Sequence, residues 1–385
     1  MKLYYWSPFI SPVATVFSVI NSIKAIKKFS KKNTDCRIIN VFKEWDHYED
    51  IIKNNEIQVI NLSTQLDINN LPRGGFLNSR LTYIIVFFFS VTKLHLLIKK
   101  ENPDYLLVHL ITSVPLFLLL IFNYKTKFIL RISGYPKINF FRKIFWRFVN
   151  KKIYKVFCPT ENTKKILIDN KIFDSNKLFI VEDPVLDIKS IRNKLNLDRN
   201  TANQTKSNYV ISIGRLTKQK NFQFLIEGFR EVCKKIKDIN LVIIGEGEEK
   251  KKLESKICGY NMQNKIFLKG YKKNIYPYLK NSLFLILTSK WEDPGFVILE
   301  SMFCKKIVLS SNCLSGPIEI IQNENNGFLY EMDNMDSFVS KFIIAYNTSQ
   351  NENSKKKIII YKAMKSVKNY TLFHHYKHIR SYINL

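Results

Sequence analysis

From its first residues the chain alternates short, nearly continuous apolar runs with longer amphipathic ones. "KLYYW", "RIINVF" and "IQVINL" read as strands and "VFSVINSIKAIKKF" as a helix. After a long helix from Leu81 come the strand "YLLVHL", the loop "ITSVP", the helix "LFLLLIF" and the strand "KFILRI", a buried βαβ unit. "KVFCPT", the helical "ENTKKILIDN" and "KLFIVEDPV" close the series. Apolar strands separated by helices predict a parallel α/β sheet with helices on both faces.

Polar "NLDRNTANQTKSN" has no apolar periodicity and predicts a linker over 196–208, which separates an N-terminal domain, 1–195, from a second over 209–365. The second repeats the alternation. "YVISIG" and "NLVIIGEGE" are strands ending in glycine, "FQFLIEGFREVCKKI" is an amphipathic helix between them, and "KIFLKG", "SLFLILT" and "KIVLSS" follow. Two Rossmann-like domains of similar size imply a cleft between them for a ligand.

Two tracts, Leu81 to Ile98 and Tyr105 to Phe122, approach the roughly 20 apolar residues of a membrane span. Lys93 and His95 interrupt the first, His109 and Pro115 the second, which favours the α/β parse. The start "MKLYYWSPFISPVATV" reads as a strand, without the basic, apolar and small-residue order of a signal peptide. Six cysteines form no C-x-x-C pair, so a reducing cytoplasm is expected, with no zinc site and no disulfide framework.

At 46% hydrophobic and 14% aromatic the chain is globular, while 61 Lys+Arg against 32 Asp+Glu give +29. An anionic partner follows, whether nucleic acid, a phosphate-rich substrate or a membrane surface; solvated lysines in a Lys-, Ile- and Asn-rich composition are the plainer account. The window from Lys125 to Lys165 holds twelve Lys+Arg and one acid, Glu161. Inside it, "FFRKIFWRFVNKKIYK" sets aromatic residues among Arg142, Lys143, Arg147, Lys151 and Lys155, the pattern of an amphipathic helix that lies on anionic lipid. Arg142, Lys143, Phe145, Arg147 and Lys151 are its expected docking residues.

Candidate chemistry centres on "SKWEDPGFVILESMF", Ser289 to Phe303. A strand that ends before Pro294-Gly295 and restarts as a helix leaves unpaired N–H groups where an anion is favoured, with Glu300 one turn further in. Arg215 and Lys220 occupy the loop after "YVISIG", at the carboxyl edge of the sheet, where a guanidinium fork and an ammonium can hold a diphosphate. Two carboxylates, Glu292 and Glu300, also fit a hydrolytic pair.

The ordered set "SIGRLTKQKN", "LVIIGEGEEKKKL", "IFLKGYKKN", "EDPGFVILE" and "LSGPIEIIQNENNGFL", from about Tyr209 to Leu329, resembles the C-terminal domain of family 4 glycosyltransferases. "YYWSPFISPVATVFSVINS", "NPDYLLVHLITSVP", "RISGYPK" and "VEDPV" look like the branch that builds bacterial surface polysaccharides. The resemblance implies a GT-B fold and a retaining, metal-independent transferase that needs no cofactor. Its donor is a nucleotide-diphosphate sugar and its acceptor a lipid-linked saccharide. It also implies a C-terminal helix, 366–385, that returns to the first domain, and a peripheral location on the inner face of the cytoplasmic membrane. Glu300 then takes the ribose hydroxyls, the amides of Phe296 and Val297 meet the distal phosphate or sugar, and Gly214 and Gly295 complete the donor-binding set. Arg215 and Lys220 neutralise the leaving diphosphate, Glu292 touches the transferred sugar, and His109 falls at the second position of a paired-histidine motif whose first is Leu107. No D-x-D occurs, and no nucleic-acid recognition motif is visible, so no nucleic-acid partner is expected. His374, His375 and His378 read as part of the final helix and receive no chemistry. A non-catalytic scaffold of the same fold and a nucleic-acid-binding basic protein are the remaining alternatives.

Overall fold

In the computed structural model, which describes the chain apart from residues 11–12, 63–65, 73–75, 135, 137, 197–207 and 352–353, β1 (Lys2–Trp6) turns Tyr4 and Trp6 to one face of its sheet and Leu3 and Tyr5 to the other. Both faces are therefore apolar and both must be covered. The chain divides into two compact units, Met1–Pro184 with Leu372–Leu385, and Val185–Thr371.

The first unit runs β1, α1 (Thr15–Phe29), β2 (Asp35–Asn40), α2 (Glu49–Asn54), β3 (Gln58–Asn61), α3 (Phe76–Glu101), β4 (Tyr105–Val108), α4 (Ser113–Ile121), β5 (Lys127–Arg131), α5 (Phe140–Asn150), β6 (Lys155–Cys158), α6 (Glu161–Asp169) and β7 (Leu178–Ile180). Its strands pair in parallel in the order β3-β2-β1-β4-β5-β6-β7. Tyr4 and Trp6 pack in one core with Val86, Leu94 and Ile98 of α3 and Trp146 and Val149 of α5. Leu3 and Tyr5 pack in the other with Val19, Ile20 and Ile23 of α1.

The tract from Leu81 is the middle of α3, and its segment Arg80–Glu101 is long and apolar enough to cross a membrane, with mean hydropathy 1.9 and 28% of its most apolar window buried. Val86, Ser90, Leu94 and Ile98 recur every four residues on the buried side. Leu81, Ile84, Phe88, Phe89 and Leu96 are exposed. The second tract is the buried unit β4-α4-β5, as its pattern predicts.

The second unit runs α7 (Ile188–Asn196), β8 (Tyr209–Ile213), α8 (Phe222–Lys235), β9 (Asn240–Ile244), α9 (Lys250–Gly259), β10 (Ile266–Leu268), α10 (Tyr276–Asn281), β11 (Phe284–Leu287), α11 (Phe296–Phe303), β12 (Ile307–Ser311), α12 (Gly316–Ile320), β13 (Phe328–Tyr330), α13 (Met335–Gln350) and α14 (Ser354–Ser366). Its six strands are again all parallel, ordered β10-β9-β8-β11-β12-β13. The unit begins eleven residues before the expected boundary, because Val185, Leu186 and Ile191 are buried in the same cluster as Tyr209 and Ile211. Most of the expected linker, 197–207, lies outside the described residues.

The last helix, α15 (Leu372–Tyr382), belongs to the first unit, where Tyr376 and Ile379 join the α1 core. His375 fixes it there: Nδ1 meets the Glu182 carbonyl at 2.8 Å and Nε2 meets Ser22 Oγ at 2.9 Å, which in turn lies 2.9 Å from Tyr5 Oη. Burial, helped by nearby Arg131, pushes the His375 pKa down to about 4, although its bond to the Glu182 carbonyl opposes this.

A histidine held below its unfolded value of about 6.5 favours the folded state fully only above that pH. Between pH 6.5 and 4 the unfolded chain binds a proton that the folded chain refuses. Stability should therefore fall by up to about 3 kcal/mol as pH drops through this window. Urea unfolding of wild type and His375→Gln across pH 7 to 4 checks this, with a flatter pH dependence expected for the variant.

Candidate active site

Between β8 and β11 the second sheet changes its direction of growth, and the loops leaving those strands diverge to opposite sides. Open α/β sheets form their ligand crevice at such a point. The two loops here are 214–221, with Gly214, Arg215 and Lys220, and 288–295, with Glu292 and Gly295. Cross-links make them one body: Thr288 Oγ1 donates to the Lys220 carbonyl at 2.9 Å, Gln219 Nε2 to the Trp291 carbonyl at 2.8 Å, and Lys290 N to the Gln219 carbonyl at 2.8 Å.

Lys220 and Glu292, given different tasks by sequence, form an ion pair that is largely buried. The ammonium and Ser289 Oγ, the latter at 2.6 Å, both bond Glu292 Oε1. Oε2 takes no hydrogen bond among the described residues and is open to a hydroxyl donor. Gly214 leaves room for the Lys220 stem, since a Cβ there would stand 3.0 Å from Lys220 Cε. Arg215, one residue on, is exposed and pairs with no carboxylate among the described residues.

Gly295 caps α11 with φ of 96°, a left-handed conformation that a side chain would strain. Ile298 N already donates to the Gly295 carbonyl at 3.0 Å, while the first-turn amides of Phe296 and Val297 have no acceptor within the helix. These amides and the helix dipole favour an anion in front of them.

Glu300, one turn in, has different company. Tyr276 of α10, 6% exposed, donates its hydroxyl to Oε1 at 2.8 Å. Burial raises the Glu300 pKa, against the lowering effects of the Tyr276 bond and of Lys194 from α7. Lys194 Nζ also lies 5.7 Å from the centre of the Tyr276 ring. Sequence reading missed Tyr276 and Lys194. The signal available for Tyr276 was a hydroxyl in an apolar run, "NIYPYLKN", where burial demands a partner.

His109 belongs to the first unit, at the carboxyl end of β4, beside the point where that sheet also changes direction. It is 6% exposed, and neither ring nitrogen has a hydrogen-bond partner. Burial, with Arg131 and His375 nearby, holds it well below the usual histidine range, so the ring is neutral.

The basic helix is α5, and two of its expected docking residues point elsewhere. Phe145 is half-buried against the core, and Arg147 donates to the Lys171 and Asn170 carbonyls at 2.9 and 3.1 Å, beyond the end of α6. Trp146 and Val149 set the inward face, so Phe145 is carried inward with them, while the free carbonyls after α6 capture the guanidinium. Arg142 and Lys151 remain exposed and Lys143 half-exposed, among the outward Phe140, Phe141, Ile144 and Phe148.

Residues 193–366 match the family model described as glycosyl transferases group 1. An uncharacterized glycosyltransferase of Methanocaldococcus jannaschii is 32% identical over 247 residues, 60% of this chain and 61% of the relative. The N-acetylgalactosamine-N,N'-diacetylbacillosaminyl-diphospho-undecaprenol 4-alpha-N-acetylgalactosaminyltransferase of Campylobacter jejuni is 27% identical over 224 residues, 56% of this chain and 59% of the relative. The chain thus spans about three-fifths of the length of these two curated relatives. Among solved structures, Anabaena HepE in complex with UDP superposes with a TM-score of 0.74 at 14% identity, covering 99% of both chains, a likeness of fold.

Removing one partner of a buried ion pair leaves the other charge uncompensated. Lys220→Met should therefore destabilise the second unit by about 3 kcal/mol, and joining it to Glu292→Leu should cost less than the two single changes together. Urea unfolding of the three variants measures the coupling; strict additivity would mean that the pair contributes nothing.

Proposed function

We propose that this chain, whose residues 193–366 match the glycosyl transferases group 1 model, moves a sugar from a nucleoside-diphosphate sugar to a lipid-linked saccharide in the building of a bacterial cell-surface polysaccharide. The observation that carries the reading is the pairing at the sheet's turning point of a cation-bearing loop, Arg215 and Lys220, with the open N-terminus of α11. A diphosphate fits both.

Breaking a glycosyl–phosphate bond puts positive charge on the sugar and negative charge on the departing diphosphate. Exposed Arg215 and the α11 amides meet that negative charge, and Lys220 helps to offset it from its place on Glu292. Glu292 Oε2 accepts a hydroxyl of the transferred sugar, and Glu300 accepts the ribose hydroxyls while Tyr276 holds its other oxygen. In the first unit, neutral His109 offers one N–H and one lone pair to a hydroxylated ligand of that unit. The transferred sugar keeps its anomeric configuration, with no side-chain nucleophile, and no divalent cation is required because protein cations supply the positive charge. A hydrolytic pair is disfavoured, since Glu292 is engaged by Lys220 and Ser289 and Glu300 by Tyr276.

The apolar outer faces of α3 and α5 support a place on the inner face of the cytoplasmic membrane. Phe88 is 69% exposed, Phe140 71% and Phe141 80%, and cations border them on α5. Aromatic rings at the headgroup boundary with lysine and arginine around them suit an anionic monolayer, each cation adding about 1 kcal/mol before screening.

Four outcomes check this reading. Calorimetric titration with UDP-, GDP- and dTDP-sugars should find a ligand whose affinity drops roughly ten- to a hundred-fold in Glu300→Gln. Affinity should fall as pH drops and Glu300 protonates, and Tyr276→Phe, which removes a bond that lowers the Glu300 pKa, should move that fall to higher pH. Arg215→Ala should lower turnover more than donor binding, with activity surviving EDTA. In flotation assays, binding to anionic vesicles should fall with salt and on changing Phe140, Phe141 and Phe148 to serine; equal binding to neutral vesicles would remove the electrostatic part.

A further inference from the structure

Helix α14 of the second unit turns Ile359 and Ala363 inward, and Val367 of the turn that follows joins them in the apolar cores of that unit. These residues stand four apart, so one stripe of the helix is committed to packing. The opposite stripe, spaced by three and four, is Ile358, Tyr361 and Lys365. Ile358 is 50% exposed and Tyr361 69%. Exposed Lys357 flanks this stripe on one side and exposed Lys355 and Lys362 on the other, and exposed Lys368 follows just beyond the helix. Two apolar side chains thus crown a ridge of lysines.

Charge defines what this face accepts. Between Ser354 and Thr371 the chain has six lysines and no acid. A solvated helix gains from a carboxylate three or four residues from each cation, whereas Lys365 has Lys362 and Lys368 at that spacing. Neighbouring loops supply little. Glu324 is bonded by Lys341, with a weaker pull from Lys355, and Lys362 donates to Asn325 Oδ1. Lys357, Lys365 and Lys368 have no carboxylate partner among the described residues. Lys355 and Lys365 lie about 15 Å apart along the helix, so a single small anion cannot serve the row and an extended anionic surface can. Ile358 and Tyr361 decide between such surfaces: at a headgroup boundary both leave water while the lysines around them meet lipid phosphates, but the phosphate backbone of a duplex offers Ile358 nothing.

We propose that the outer face of α14 is a membrane contact of the second unit, on which anionic lipid headgroups meet Lys357, Lys365 and Lys368 while Ile358 and Tyr361 enter the headgroup boundary. It is separate from the outer faces of α3 and α5 and does not need the reading of those helices to hold. With it, the donor-side unit has its own hold on the bilayer.

Flotation of the full chain with phosphatidylcholine vesicles, with and without phosphatidylglycerol, tests it. Changing Lys357, Lys365 and Lys368 together to glutamine should lower the partition onto anionic vesicles at least about ten-fold, with the melting temperature unchanged or raised because like charges are removed. Ile358→Ser with Tyr361→Ser should weaken vesicle binding at least about five-fold and leave retention by a DNA duplex at equal salt unaltered. Tyr361→Trp should add emission that brominated lipid in the anionic vesicles quenches, relative to wild type. Unchanged partition in the lysine variant or no added quenching in Tyr361→Trp would overturn the assignment. A duplex that binds more tightly than the vesicles, and loses its hold in the same lysine variant, would overturn it in favour of nucleic acid. The change of Phe140, Phe141 and Phe148 to serine keeps the two membrane readings apart: if it abolishes flotation and the lysine variant does not reduce it, α14 is removed as a contact and the first-unit reading stands; if it leaves flotation intact and the lysine variant loses it, the reverse holds.

Discussion

A parallel strand can be re-entered only from one end, and this constraint organises both units. Every loop that follows a strand gathers at the same sheet edge, and every return is made by a helix over a face. In the orders β3-β2-β1-β4-β5-β6-β7 and β10-β9-β8-β11-β12-β13, the chain winds one way from the first strand of each unit and then the other way from the fourth. The loops on either side of that reversal part from one another. His109 stands beside the reversal in the first unit, and Arg215, Lys220, Glu292 and Gly295 around it in the second. Candidate chemistry thus collects where strand geometry leaves backbone and space uncovered.

Within that crevice the two glutamates of one short segment acquire unlike surroundings. Glu292 faces β8 and is held by Lys220 and Ser289, so its charge is matched inside the protein. Glu300 faces α7 and α10, where burial works against ionisation and Tyr276 supports it. One carboxylate is thereby built into the scaffold of the loop after β11, while the other is supported by the Tyr276 hydroxyl and by the Lys194 cation. The difference follows from position, since Glu292 lies in the loop before α11 and Glu300 one turn inside that helix, and it bears directly on how each could treat a hydroxylated ligand.

The first unit joins two surfaces of opposite demand. α3 buries one stripe in the core and leaves Ile84, Phe88 and Leu96 in the open, and α5 buries Trp146 while Phe140, Phe141 and Phe148 stay outside. Between these helices and the sheet edge lies a cavity whose floor is histidine and arginine.

Much of this was legible along the chain. Apolar runs with amphipathic helices between them determined the α/β class, because buried parallel strands need apolar residues on both faces. The break at Pro294-Gly295 and the cations after β8 marked the candidate site, since helix starts and strand ends have local signatures in glycine, proline and charge. Other features depended on partners distant in sequence. Lys220 bonds a carboxylate 72 residues away, Tyr276 a carboxylate 24 away, and the final helix bonds Ser22 across 353 residues. The inward turn of Phe145, the hold of the Asn170 and Lys171 carbonyls on Arg147, and the membership of α7 in the second unit were likewise decided by what each side chain meets after folding. Periodicity specifies which face of an element is apolar, but the neighbour that covers that face, and so the charge or cavity beside it, exists only once the chain has closed on itself.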